Sequence, residues 1–555
     1  MEKKKTVIYS IIALVALALL VVGATYAYFQ NQYGSASNAD VKVTTYTTDV
    51  LTFETGDAIN ISADQETFAQ GKGNRTGSTF ARATLQANNK TNTATANYYM
   101  YLNIENNTFT YTNTGTPELI LQVVDKTSGN PVTSITGLDY VTVTDGKNTS
   151  ISGFDITTKK GLIALFSNKE ISASPKTIEE YTVSITLVNH NFDQNVNTGK
   201  NLSGKLMIQK EKVPSSIVDV AKSGDSLVTV LETLGTKGDS SLTGLYHHDA
   251  NLTNGAGDNS YRFAGANPNN YVCFGSDEAT CPHENLYRII GLIDGKVKLI
   301  LADGATTDML GTDEGYVSTY QAYNDIYSSF YKGNGDLKKI GSYKWNKSGT
   351  NTWSTSTTNT INLNKNFLPY LDSKNAKWKT MIVDTTWYVG GMHYNNGYQS
   401  NAKTAYTYEV GANKDATTTV TSKIGLMYVS EYYYGATPDY WTLPGYNSSG
   451  KDYIAAKNDN WLFTGLYEWT ISRASNGSGG AFEVMGFGRV SGSGVGANGR
   501  ALRPSFSLSS SIKFTSGEGT AVNPIRIKLW LVDYACLGLR ARHAGCKIMQ
   551  RYVNK

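Results

Sequence analysis

Trp461-Leu462-Phe463, Glu468-Trp469-Thr470-Ile471-Ser472, Ala481-Phe482-Glu483-Val484-Met485 and Arg500-Ala501-Leu502-Arg503-Pro504-Ser505-Phe506-Ser507-Leu508 are the landmarks of one stretch, Asn460 to Ser509. Between them lie runs almost without bulky residues, Ala474 to Gly480 and Ser491 to Gly499. Gly and Ser tolerate the backbone angles of tight connections, so the pattern predicts a Trp-anchored strand, loop, strand, loop and terminal strand. Arg503-Pro504 fits a sheet edge or the start of a strand, because proline has no N–H to give to a ladder.

The order EWTIS, FEVMGFGRV, GRALRPSFSLSSS over Glu468 to Ser511 resembles the C-terminal core of secreted bacterial proteins with a C-type-lectin-like fold. That superfamily includes the formylglycine-generating-enzyme fold and the variable proteins of diversity-generating retroelements. The resemblance implies an α+β domain whose irregular loops near the C-terminus present a ligand-binding surface on a small sheet. It names no ligand. The Glu-Pro-Asn and Trp-Asn-Asp signatures of calcium-dependent sugar binding are absent from the sequence.

Working outward, 555 residues exceed what one core holds, and two or three domains are expected. Charged residues make up 17% and the net charge is +4, a poor match to nucleic-acid binders, which carry a concentrated basic stripe. Tyr (37), Gly (53), Thr and Asn are abundant, which favours short strands joined by polar turns. Tyr and Asn also serve adaptable binding loops, although exposed strand faces carry the same residues for packing alone.

At the N-terminus Lys3-Lys4-Lys5 precedes an apolar run from Val7 to Val22, followed by Gly23-Ala24-Thr25-Tyr26-Ala27-Tyr28-Phe29. A positive flank, an apolar stretch and small residues at −3 and −1 (Thr25, Ala27) describe an export signal over residues 1–27, cut between Ala27 and Tyr28. The competing reading is an uncleaved membrane anchor, since Gly23 to Phe29 could extend the run toward the ~20 residues that span a bilayer. The GATYAYF junction is similar to that of camelysin-like biofilm-matrix fibre proteins, a resemblance that continues over about residues 24 to 212.

Tyr181 to Leu187 alternates apolar and polar residues without a fault, and Tyr98 to Ile104 and Leu119 to Val124 also read as strands. Turn signals at Ser128-Gly129-Asn130-Pro131 and Asp145-Gly146 separate them, as in a β-sandwich or jelly roll over residues 28–212. Paired carboxylates, a Ser/His/Asp set and metal-ligand spacing are all missing there, and the lone His190 reads as a turn residue.

Residues 213–240 read as a linker holding one short helix, with Val218, Val220, Leu227, Val230, Leu231 and Leu234 as its apolar positions. Residues 241–524 form the lectin-like domain with an insertion. Cys273 and Cys281 bracket a short acidic loop, and on an exported chain a disulfide is their expected state. Leu286 to Leu301 predicts a hairpin turning at Asp294-Gly295. His247-His248-Asp249 lacks metal-ligand spacing and reads as a surface turn. Tyr316, Tyr320, Tyr323, Tyr327 and Tyr331 are spaced for one helical stripe. Residues 525–555 form an atypical basic tail, with four Arg against eight in the preceding 524 residues and a second cysteine pair, Cys536 and Cys546. A readthrough or frameshifted tail and a genuine appendage both account for it.

The whole reads as a mainly β, multi-domain protein: a jelly-roll-like β-sandwich followed by an α+β C-type-lectin-like domain. The function expected is that of an extracellular or cell-surface, non-catalytic adhesin, with a carbohydrate or a host or cell-surface protein as its ligand. No cofactor, metal or nucleic acid is expected, membrane contact is confined to the N-terminal segment, and the first domain is a candidate for self-assembly. The candidate contacts are Trp441, Trp469, Arg473, Phe487, Arg489 and Arg500, since aromatic faces and Arg forks anchor binding surfaces. Packing is the competing role, and for Trp469 and Arg503 it is the favoured one. A structural fibre subunit is the second reading. A formylglycine-generating-type oxidase is the third, and Asn285 to Ser509 contains no Cys for its copper-binding pair. Cleavage after Ala27 predicts a secreted chain beginning Tyr28-Phe29-Gln30; N-terminal sequencing that returns an intact Met1 from membrane fractions overturns it.

Overall fold

The computed structural model of the chain describes residues 48–64, 66–68, 72–88, 92–320, 329–391, 400–411, 418–443 and 456–529. The chain is mainly β and divides into two compact units, Met1–Val213 and Pro214–Lys555. In the first, ten strands follow one another: β1 (Val50–Thr55), β2 (Ile59–Ser62), β3 (Arg75–Gln86), β4 (Ala94–Asn107), β5 (Leu119–Asp125), β6 (Tyr140–Thr144), β7 (Ser150–Asp155), β8 (Gly161–Ala173), β9 (Lys176–Leu187) and β10 (Asn201–Gln209). They build two sheets, ordered β1-β3-β9-β5-β7-β6 and β2-β10-β4-β8.

Period-two patterning decides which side of each strand is buried. Tyr181, Val183, Ile185 and Leu187 of β9 point inward, as do Ala81, Ala83 and Leu85 of β3. Ile61, Leu102 and Ile104 from one sheet and Leu121, Val183 and Ile185 from the other share one core. On the opposite face Arg82 stands directly across from Glu180, with Nη2 2.6 Å from Oε2. His190 is buried rather than a plain turn residue: its ring stacks on Phe192 and Nε2 lies 2.9 Å from the Pro117 carbonyl.

The second unit contains β11 (Leu245–His247), β12 (Tyr261–Phe263), β13 (Tyr271–Cys273), β14 (Leu286–Ile293), β15 (Lys296–Leu301), β16 (Tyr316–Thr319), β17 (Gly341–Tyr343), β18 (Thr385–Val389), β19 (Thr418–Ser422), β20 (Glu468–Arg473), β21 (Gly480–Val484), β22 (Val490–Gly494), β23 (Ser505–Ser507), β24 (Ile512–Ser516) and β25 (Arg526–Leu529). Its largest sheet runs β11-β12-β14-β15-β23, with β13 also paired to β14, and β20-β21-β22 form a second one. Asp294 and Gly295 both have positive φ, the type I′ geometry that matches the twist of the β14–β15 hairpin. β23 follows Pro504 and lies at the end of its sheet, where the missing proline N–H costs no ladder bond.

Four readings are corrected. The 213–240 segment is not a linker: its helix, Leu227–Lys237, buries Leu227, Val230, Leu231 and Leu234 in the core of the second unit, because i, i+3, i+4, i+7 spacing gives it an apolar stripe. The basic tail does not start at 525, since Ile525 bridges Val272 and β25 pairs with β24. Tyr316 sits in a strand, which breaks the proposed helical stripe; Tyr323 and Tyr327 lie outside the described residues. His248 is fully buried against Tyr434 and Trp441, with Nδ1 accepting from the Ala256 N–H at 3.0 Å. Burial and the nearby Arg262 push its imidazole well below the usual range, so it stays neutral.

No described helix is long and apolar enough to cross a membrane. Val7 to Val22, Ala27, Tyr28, Cys536 and Cys546 lie outside the described residues. Cys273 and Cys281 form a disulfide that fastens the end of β13 to the loop before β14. Because this bridge closes a short loop, the Cys273→Ser/Cys281→Ser chain should lose about 2–3 kcal/mol of stability in urea unfolding. An unchanged midpoint would refute that contribution.

Candidate ligand-binding face

The second unit is assembled around charges that its core has buried. Arg503 meets Glu468 as a fork, Nε to Oε2 at 2.6 Å and Nη2 to Oε1 at 2.7 Å, and donates again to the Leu462 carbonyl at 2.7 Å. Arg500 pairs with Glu483 and stacks over Tyr467 and Trp469, 5.1 and 5.9 Å from the ring centres. Burial raises both carboxyls above the usual range, and the arginines offset part of that rise. Lys298 reaches Glu431 at 2.6 Å between the rings of Trp387 and Tyr428. Glu409 has no such cation; it accepts from the Val429 and Ser430 N–H groups at 2.9 and 3.0 Å and from the Ser472 hydroxyl. Burial outweighs those bonds and raises its carboxyl to about 7.

These contacts sort the six candidate residues. Trp441 and Trp469 are each 1% exposed, and their indole N–H groups donate to the Ala436 and Tyr343 carbonyls, both at 2.9 Å. Arg500 is 8% exposed and committed to Glu483. These three are core members, out of reach of a ligand at the surface. Arg473 is half-buried, with Nε donating to the Val389 carbonyl at 3.0 Å. Phe487 and Arg489 are the two that lie together near the surface, on the turn between β21 and β22.

The two glycine-rich runs behave differently. Ser491 to Gly499 is not a loop throughout, because β22 pairs with β21 from Gly480↔Gly494 to Val484↔Val490. Ladder pairing overrides the weak strand preference of Gly and Ser. Residues 475–479 are exposed, and Asn351 clamps the connection: Nδ2 reaches the carbonyls of Ala474, Gly477 and Gly480 at 2.8–2.9 Å, and its N–H reaches Ser478 O at 2.6 Å.

The β21–β22 turn closes with Met485 N–H to Arg489 O at 2.7 Å and Gly488 N–H to Met485 O at 2.8 Å. Gly488 has φ +99°, and a Cβ there would come within 2.9 Å of Lys457 Cβ and 3.6 Å of the Phe463 ring. Glycine is therefore what lets the turn lie down on those side chains. Arg489 stacks on Phe487 (5.8 Å), Lys457 on Phe330 (5.6 Å) and Lys332 on Phe463 (5.3 Å). Lys332 is tied in by its N–H to Thr464 O at 2.8 Å and by Nζ to Asn458 Oδ1 at 3.0 Å. Beneath them Tyr331, Met485 and Phe487 pack on a small cluster containing Tyr320, Leu466 and Tyr467. The result is one face drawn from 330–332, 457–459 and 487–489, with the buried Phe463 ring beneath Lys332.

Of the residues on this face, the sequence reading names Phe487 and Arg489 as candidates and not Phe330, Lys332, Lys457 or Phe463. The available signal was an aromatic residue within a few positions of a lysine in Gly- and Asn-bounded segments, Phe330-Tyr331-Lys332 and Lys457 to Phe463. The first unit has its own shallow cleft of about 640 Å³, lined by Tyr111, Asp139, Asp155, His190 and Phe192 among others. Asp155 there is already engaged by the Tyr111 hydroxyl at 2.8 Å and by Thr157. Among the described residues no group of three or more His, Cys, Asp or Glu side chains is placed to hold a metal ion.

Buried and surface arginines should respond differently to truncation. Arg503→Ala strands the Glu468 carboxylate and should cost about 3–5 kcal/mol, whereas Arg489→Ala, having no acidic partner, should stay within about 0.5 kcal/mol of the parent. Chemical denaturation of the two variants checks this, and equal losses would contradict the division. Arg500→Ala belongs with Arg503, so a variant that includes it does not test binding alone.

Compared with known proteins, this chain matches no family model, no curated protein and no solved structure.

Proposed function

We propose that this protein is a secreted or cell-surface, non-catalytic adhesin whose second unit reads a ligand through the Phe487–Arg489 face. The observation that carries the reading is that face: three cations held against three phenylalanine rings, without a carboxylate partner among the described residues. Such rings and forks are the usual anchors of recognition. The first unit, two sheets over one core, supports a β-sandwich that presents the second. Helices packed around antiparallel sheets, with long excursions between them, support the lectin-like assignment of the second unit.

The test is a glycan and host-protein array probed with the mature chain, with and without calcium. Phe487→Ala/Arg489→Ala should abolish the hits while the melting temperature moves by no more than about 4 °C. If the double variant keeps every ligand, the site is elsewhere. Truncation after Leu529 should leave the hits intact; truncation after Pro524 removes β25 and is not an equivalent control.

A further inference from the structure

Several of the second unit's other cations pair with acids, although Arg288 is held instead by amide and carbonyl oxygens and by the Tyr271 and Trp461 rings. Lys298, Arg262, Arg500 and Arg503 do so in the interior, at Glu431, Asp258, Glu483 and Glu468. Lys347, Lys377 and Lys379 do so in more exposed positions, at Glu314, Asp277 and Asp372. On the Phe487–Arg489 face three unpaired cations lie together: among the described residues Lys332, Lys457 and Arg489 have no acid within ion-pair distance. The nearby acids are already engaged. Asp303 accepts from the Tyr331 hydroxyl and from the Gly335 N–H at 2.9 Å, and Asp459 accepts from the Tyr440 hydroxyl at 3.1 Å.

Each of these three cations nevertheless rests over a ring, which restricts its side chain before any ligand arrives. That reduces the ordering cost of binding, as preorganisation does generally. Two of the rings remain accessible, Phe330 at 38% exposed and Phe487 half-buried, while Phe463 is buried under Lys332. The face thus alternates positive charge with apolar ring surface over three chain segments. A uronic-acid residue carries the complementary pair, a carboxylate beside an apolar C–H face, and a chain of them repeats it.

Resting on the functional reading above, we propose that this face binds an acidic polysaccharide, taking sugar carboxylates on Arg489, Lys457 and Lys332 and sugar C–H faces on Phe330 and Phe487. A guanidinium suits a carboxylate because its planar fork matches the two oxygens. A nucleic-acid strand fits less well, since three separate cations do not make the basic stripe that phosphate tracking needs.

The experiment measures binding of the full mature chain to immobilised polygalacturonate, to the same polymer after carboxyl reduction, to single-stranded DNA and to poly-glutamate. Polygalacturonate should bind, carboxyl reduction should weaken binding by roughly tenfold or more, and each of Arg489→Gln, Lys457→Gln and Lys332→Gln should cost several-fold. Raising salt from about 50 to about 300 mM should weaken it further, as screening demands. Phe330→Ala should weaken polymer binding at both salt concentrations. Melting curves matching the parent's show that the variants are folded, and the exposed Lys332→Gln carries the test if Arg489→Gln does not fold. Equal binding of acidic and reduced polymer, lost in Arg489→Gln, keeps the face as the site but overturns the acidic assignment. Tighter binding to DNA or poly-glutamate overturns the polysaccharide. Failure to bind polygalacturonate, with array ligands unaffected by the variants, overturns this proposal and the functional reading together.

Discussion

A carboxylate removed from water has to meet a cation, and the second unit depends on where it does so. The Arg503–Glu468 fork joins the start of β20, the residue just before Pro504 and the carbonyl of Leu462, three points that apolar packing alone would let slide. Arg500 and Glu483 repeat the device beside it, carrying the constraint across to β21. A buried ion pair contributes little net stability against a well-packed apolar alternative. What it supplies here is direction: two parallel N–H···O bonds are satisfied in one arrangement only. Trp345, Trp441, Trp461 and Trp469 then fill space around a geometry already fixed, each giving its indole N–H to a carbonyl.

On the Phe487–Arg489 face the cations meet rings instead of acids. Lys332 and Lys457 settle on phenylalanine rings, where the ring quadrupole replaces the missing anion in part.

How much of this was legible in the sequence depended on whether the signal was local. Asp294-Gly295, the alternation through Tyr181 to Leu187 and the paired cysteines each carry their own instruction, and hairpin, strand and disulfide follow them. The helix at Leu227 was readable from its spacing, but its burial was not, because the core it joins comes from residues far along the chain. Trp441 and Arg500 looked like surface anchors because residue type alone does not tell which side of a strand or helix faces out, whereas Trp469, for which packing was the favoured role, is buried. β22 was hidden because its strand character belongs to its partner, β21. Phe330 and Lys457 meet across more than a hundred residues, a distance no window of sequence spans.

Asn351 has a consequence for how this protein can change. It holds the 474–480 connection through carbonyl oxygens, a group that every amino acid carries, while residues 475–479 are exposed. The shape of the connection is therefore uncoupled from the identity of its exposed residues. Substitutions there can alter surface chemistry with little penalty to folding, provided Asn351 and the tight backbone path remain. Evolutionary drift would then concentrate at the tip and stop at the asparagine, whose side chain holds three carbonyls at once.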